Sequence, residues 1–139
     1  MLGADDSLPT MGYGEMKKYP HLFPPDGFYQ FDRIGLFITP AAGSGILVTL
    51  TPPGGYLGWV RLLGLEATNF GKVYYTILRG GAPIEDYTRI TVPVGSTTTP
   101  KPVFIKLEPN RPLQLQATWT DPTLGLRFLM WGWFYPEKS

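Results

Sequence analysis

Glycine and proline decide the architecture before any motif is sought. The 139-residue chain holds 17 glycines and 15 prolines, spread from Gly3 to Pro136. That is about twice their usual combined share of ~12%. Proline breaks a helix interior and glycine weakens it, so no window is left for a long helix. Short strands joined by turns are the remaining route to a packed chain. A chain of this length makes one domain and buries roughly two-thirds of its unfolded surface without a metal or disulfide staple. A hydrophobic share of 43% and a charged share of 17% fit a packed chain and argue against wholesale disorder.

Residues 1–32 show no sustained period of either kind and read as an extended N-terminal arm. Residues 33–139 then alternate short apolar runs with turn signals. Ile34, Leu36 and Ile38 alternate with Gly35, Phe37 and Thr39, and Ile46, Val48 and Leu50 follow after a glycine turn. Tyr56 to Thr68 reads as a long strand, bent or bulged at Gly58 or Gly64. Val73, Tyr75 and Ile77 form the next inward set. Ile84 to Val92 reads as a loop with one short strand from Thr88, and Gly95 to Pro102 as a threonine- and proline-rich loop. Val103, Ile105 and Leu107 make a half-buried strand. Leu113, Leu115, Ala117 and Trp119 give the cleanest alternation, and Gly125 to Phe134 closes the chain. About eight strands at this spacing predict an all-β antiparallel sandwich of jelly-roll kind. An immunoglobulin-like sandwich is the alternative, although its Cys…Trp…Cys spacing is absent.

The charge-free stretch between Arg33 and Arg61 holds Pro40, Pro52 and Pro53, so it reads as two strands and turns rather than a membrane span. The first nineteen residues carry Asp5 and Asp6 and no apolar run of the signal-peptide kind. A net charge of +1 gives no electrostatic footprint for nucleic acid. Few amide side chains and many prolines fit a thermophilic source and a thermostable product.

Chemistry has little to work with. The chain has no cysteine and one histidine, His21, which excludes thiol nucleophiles, Cys-ligated zinc and any metal site built on several histidines. The adjacent acids Asp5-Asp6 and Glu85-Asp86 read as solvated turn residues, because neighbours on a strand point to opposite faces. Gly54-Gly55 and Gly80-Gly81 lack the flanking residues of a phosphate loop and read as hairpin turns. The expectation is a protein that is not an enzyme and uses no cofactor.

The aromatics carry more information. On the last strand Leu126, Phe128, Met130, Gly132 and Phe134 share one face, while Arg127, Leu129, Trp131 and Trp133 share the other. Both faces are apolar, so either the arm or another protein is expected to cover the second. The arm itself offers Leu8, Met11, Tyr13, Met16, Tyr19 and Phe23 as anchors. These ten residues, Arg127 to Trp133 with the arm anchors, are the candidate protein-interaction site.

Two stretches resemble a known family. The run Gly80-Gly-Ala-Pro-Ile-Glu-Asp-Tyr87 before a Thr/Pro loop, and the ending Arg127-Phe-Leu-Met-Trp-Gly-Trp-Phe-Tyr-Pro136, look like segments of small structural proteins of tailed bacteriophages. The chain as a whole is most similar to a capsid decoration, or head-stabilising, protein. The resemblance implies a virion protein on the capsid exterior, often a homotrimer, that binds the major capsid protein through extended arms. It implies no nucleic-acid or membrane partner. A carbohydrate- or host-binding sandwich with stacking tryptophans, or another virion role in tail, baseplate or head fibre, is the alternative.

Overall fold

The computed structural model describes residues 19–67, 72–92 and 100–137. Strands β1 (Tyr29–Ile38), β2 (Gly43–Leu50), β3 (Tyr56–Ala67) and β4 (Val73–Arg79) come first. They are followed by the two-residue strands β5 (Ala82–Pro83) and β6 (Ile90–Thr91), with one 3-10 turn at Glu85–Tyr87 between them. Strands β7 (Lys101–Leu107), β8 (Leu113–Trp119) and β9 (Gly125–Pro136) complete the chain.

The strands form two antiparallel sheets. Sheet A runs β1-β9-β3-β7, and sheet B runs β2-β8-β4-β5, with β6 also on β4. Apart from the short β4–β5–β6 excursion, each step along the chain crosses to the other sheet. This is the jelly-roll form of the β-sandwich, as the turn spacing predicts. The first strand begins at Tyr29 rather than Arg33, so the last residues assigned to the arm belong to sheet A. The arm anchors Leu8, Met11, Tyr13 and Met16 lie outside the described residues.

Alternation explains the core. Val103, Ile105 and Leu107 of β7 are buried, as are Leu113, Leu115, Ala117 and Trp119 of β8. Leu126, Met130 and Phe134 of β9 and Val60, Leu63 and Leu65 of β3 line sheet A beside the β7 row and join the β8 row of sheet B in one core. Side chains of each strand point alternately in and out, so one inward row per strand suffices. Thr39 and Glu66 are the buried polar exceptions among the described residues, and Thr39 ties two strands together. Its hydroxyl donates to the Asp121 carbonyl (2.9 Å) and accepts from the Leu124 N–H (2.8 Å), pinning the β8–β9 turn to the end of β1.

The bulge expected at Gly58 or Gly64 lies elsewhere. Register along β3 breaks between Val60 and Leu62 against both neighbours: Arg61 is the extra residue against β9, while against β7 the extra residue lies on β7, between Pro102 and Ile105. Gly58 instead serves close packing: a Cβ there would press on the Trp133 carbonyl, Phe134 and Leu107. Across from the bulge, a Cβ on Gly132 would overlap the Trp59 carbonyl. The Thr88–Val92 strand contracts to Ile90–Thr91, since Arg89 takes a positive φ of 52° that no extended strand contains.

Candidate interaction surface

Alternation after the buried Val60 turns Arg61 to the outer face of sheet A, the face that does not meet sheet B, and the bulge keeps Leu62 on that face beside it. There its guanidinium becomes a clamp. Nε donates to the Val103 carbonyl (3.1 Å) and Nη1 donates to the His21 carbonyl (2.7 Å). The planar group lies 4.2 Å from the Phe104 ring centroid and 5.5 Å from that of Trp133. Burial pushes the guanidinium below its ordinary pKa, the cost of removing water from a cation.

What the clamp holds is the chain's own N-terminal segment. Tyr19 to Phe23 forms a tight turn in which the Leu22 and Phe23 amides donate to the Tyr19 carbonyl (2.9 and 2.8 Å). The Trp133 indole N–H donates to the Pro20 carbonyl (2.7 Å). The His21 ring packs between Trp59 and Phe104, with centroids 5.4 and 5.6 Å away, and Tyr19 meets its edge. Tyr135 follows on the same strand, its phenol pushed above the usual pKa by burial.

The candidate residues therefore separate. Trp133 is only 4% exposed, covered by its own chain. Trp131 packs edge-on against it at 5.7 Å and is half-buried, and so is Leu129. Arg127 is exposed, with Nη1 4.0 Å from the Glu66 carboxylate. Tyr19 is exposed and Phe23 half-buried. Trp131 and Trp133 join Leu22, Pro24, Gln30, Arg61, Leu62 and Pro102 around an open groove of about 490 Å³.

Sequence reasoning missed two parts of this surface. Arg61 carries no motif that marks it as a clamp. The second part is on β1. Ile34, Leu36 and Ile38 are 70%, 58% and 56% exposed, while Phe31 and Phe37 point to the core. The register places Ile34 beside Leu129 and Leu36 beside Arg127, so the row continues the Arg127–Trp133 face of β9. The signal for it was present: both residue rows of β1 are apolar, as on β9.

Among the described residues no group of three or more His, Cys, Asp or Glu side chains converges to hold a metal ion. No described helix is long and apolar enough to cross a membrane. The chain matches no protein-family model, no curated protein and no solved structure.

Proposed function

We propose that this protein is a structural component of an icosahedral virion, a decoration protein that binds the outside of the capsid through the outer face of sheet A. The observation that carries the proposal is the exposed row Ile34, Leu36 and Ile38 beside Leu129 and Arg127. Exposed apolar rows of this kind mark surfaces that meet another protein. The Arg61 clamp adds a reason for the arm. By fixing residues 20–22 to the same face, it gives the 18 residues before Tyr19 an anchored origin. Eighteen residues reach at most about 60 Å when extended, enough to meet a neighbouring subunit of a shell. Many such arms acting together strengthen a shell even when each contributes little. The partners under this reading are the major capsid protein and other copies of the chain, and the fold supplies a rigid support rather than a reaction. The homotrimer suggested by the resemblance must draw on surface other than Trp133, which the chain itself covers.

The test is rebinding. Shells stripped of this chain are mixed with purified full-length protein and sedimented. The proposal expects saturable binding that weakens when residues 1–18 are deleted and is lost in Leu36→Lys/Leu129→Lys. Absence of binding by the intact chain would overturn it.

A second reading is a carbohydrate- or host-binding module. The groove beside Trp131 favours it, since an indole face with Arg61 and Gln30 nearby suits a sugar ring. Trp133 is withdrawn from that role by the Pro20 contact. A glycan screen in which a hit disappears in Trp131→Ala would select this reading.

A further inference from the structure

We propose that the open edge of β1 pairs with β1 of a second copy about a two-fold axis, joining two sheets A into one continuous sheet. β1 is an outer strand of sheet A, ten residues long, paired with β9 along its whole length without a register break. Edge strands left like this template pairing with another chain, and proteins normally blunt them. The other edges here are blunted. β7 opens on Lys101-Pro102 and carries Lys106; β2 is bulged between Ile46 and Val48; β5 and β6 are two residues each. β1 has no proline and no bulge, and its charges are confined to Asp32 and Arg33.

Backbone direction identifies the residues that would pair. The Thr39 N–H donates to Leu124 and its carbonyl accepts from Thr123, so odd-numbered positions of this strand face β9. Alternation then turns the N–H and C=O of Ile34, Leu36 and Ile38 to the open side. The Asp32 carbonyl faces the same way, where it accepts from the Arg33 guanidinium (3.1 Å). Among the described residues the backbone of Ile34, Leu36 and Ile38 has no partner on that side. The positions with free backbone are also those with the most exposed side chains.

The choice of a second copy follows from the pattern Ile34-Gly-Leu-Phe-Ile38, which has the same polarity read in either direction. An antiparallel copy centred on Leu36 sets Leu36 against the partner's Leu36 and Ile34 against the partner's Ile38. Each such pair exchanges two backbone hydrogen bonds. Asp32 then faces the partner's Pro40 and Arg33 the partner's Thr39, so no like charges meet. Shifting the centre to Gly35 would place the Asp32 carboxylate against Ile38, which the centred register avoids. On the outer face the pairing builds one stripe from Leu129 through Ile34 to the partner's Ile38. The pairing rests on β1 alone and not on the capsid reading, so either can fail without the other.

The chain contains no cysteine, which makes the test clean. Residues opposite each other in a hydrogen-bonded pair have Cα atoms about 5.5 Å apart, within the range a disulfide spans. Full-length Leu36→Cys should form a covalent dimer under mild oxidation, whereas Ile46→Cys, exposed on the outer face of sheet B, should form no covalent dimer. In sedimentation experiments the unmodified chain should dimerise, and Leu36→Lys should weaken the dimer roughly a hundredfold with unchanged strand-type circular dichroism. Equal cross-linking of the two cysteine variants would overturn the proposal. So would a full chain that is monomeric and dimerises only when residues 1–18 are removed, because the chain's own arm would then be the occupant of the edge.

Discussion

Arg61→Met separates the clamp from the sandwich. Methionine keeps much of the aliphatic stem and removes the cation. Two charge-assisted hydrogen bonds are lost, to the Val103 and His21 carbonyls, along with the stacking on Phe104 and Trp133. Hydrogen bonds to a charged group contribute about 1.5–3 kcal/mol each, and the low end applies because Arg61 is only partly buried. The cation–ring contacts add roughly 0.5–1 kcal/mol, and the guanidinium's desolvation offsets part of the total. The expected loss is about 3 kcal/mol in all, of which the bond to His21, about 1.5 kcal/mol, falls directly on the hold over residues 19–24. A loss of that size populates the detached segment without unfolding the two sheets. Hydrogen exchange at the Leu22 and Phe23 amides should accelerate by on the order of tenfold, since 1.4 kcal/mol is a factor of ten. Tryptophan emission should shift to the red as Trp133 gains water, while exchange at the β8 amides stays unchanged. If the Leu22 and Phe23 amides exchange as before and emission does not move, Arg61 is not the clamp. If β8 opens in step with residues 19–24, the clamp and the sandwich are one cooperative unit and the separation argued here is wrong.

Three more perturbations follow from the packing. Gly132→Ala forces a methyl group into the Trp59 carbonyl and should cost about 4 kcal/mol or more, read as a large fall in Tm or a failure to recover folded protein. Thr39→Val keeps the shape but orphans the Leu124 N–H and removes the bond to Asp121, an expected loss of about 2 kcal/mol by denaturant unfolding. Tyr75 and Tyr135 are held above the ordinary phenol pKa of 10.0, chiefly by burial. Their neutral forms are favoured in the folded state, so their contribution is intact below pH 10.0 and declines as pH rises through and above it. Thermal unfolding across that range should show Tm falling, with a smaller fall in Tyr75→Phe/Tyr135→Phe.

Strand count and jelly-roll class were legible because the inward rows of β7 and β8 are regular. Leu113 to Trp119 and Val103 to Leu107 alternate without interruption, and the turns between them hold proline or glycine. The bulge at Arg61 was not legible, since glycines draw attention as bulge sites, and here Gly58 serves close packing while Gly64 keeps the register. Which row of β1 faces inward was also not legible. Ile34, Leu36 and Ile38 are as apolar as Phe31 and Phe37, and only tertiary packing, with the Phe37 ring 5.4 Å from Trp119, chooses between them. The last strand, apolar on both faces, was expected to need a cover. Part of that cover proved to be Pro20 to Leu22, a local sequence with no periodicity to announce it.

The account's central claim is that the outer face of sheet A is where this protein meets its assembly. The most direct measurement is photo-cross-linking from single positions on that face, followed by mass spectrometry, in particles purified from the source of the protein. A photoreactive residue at Leu36 or Leu129 should join the chain to a shell-forming subunit or to its own copy. One at Gln116, on the outer face of sheet B, should not. Cross-links that arise from Gln116 and not from Leu36 or Leu129, or particles that lack the chain altogether, would contradict the claim.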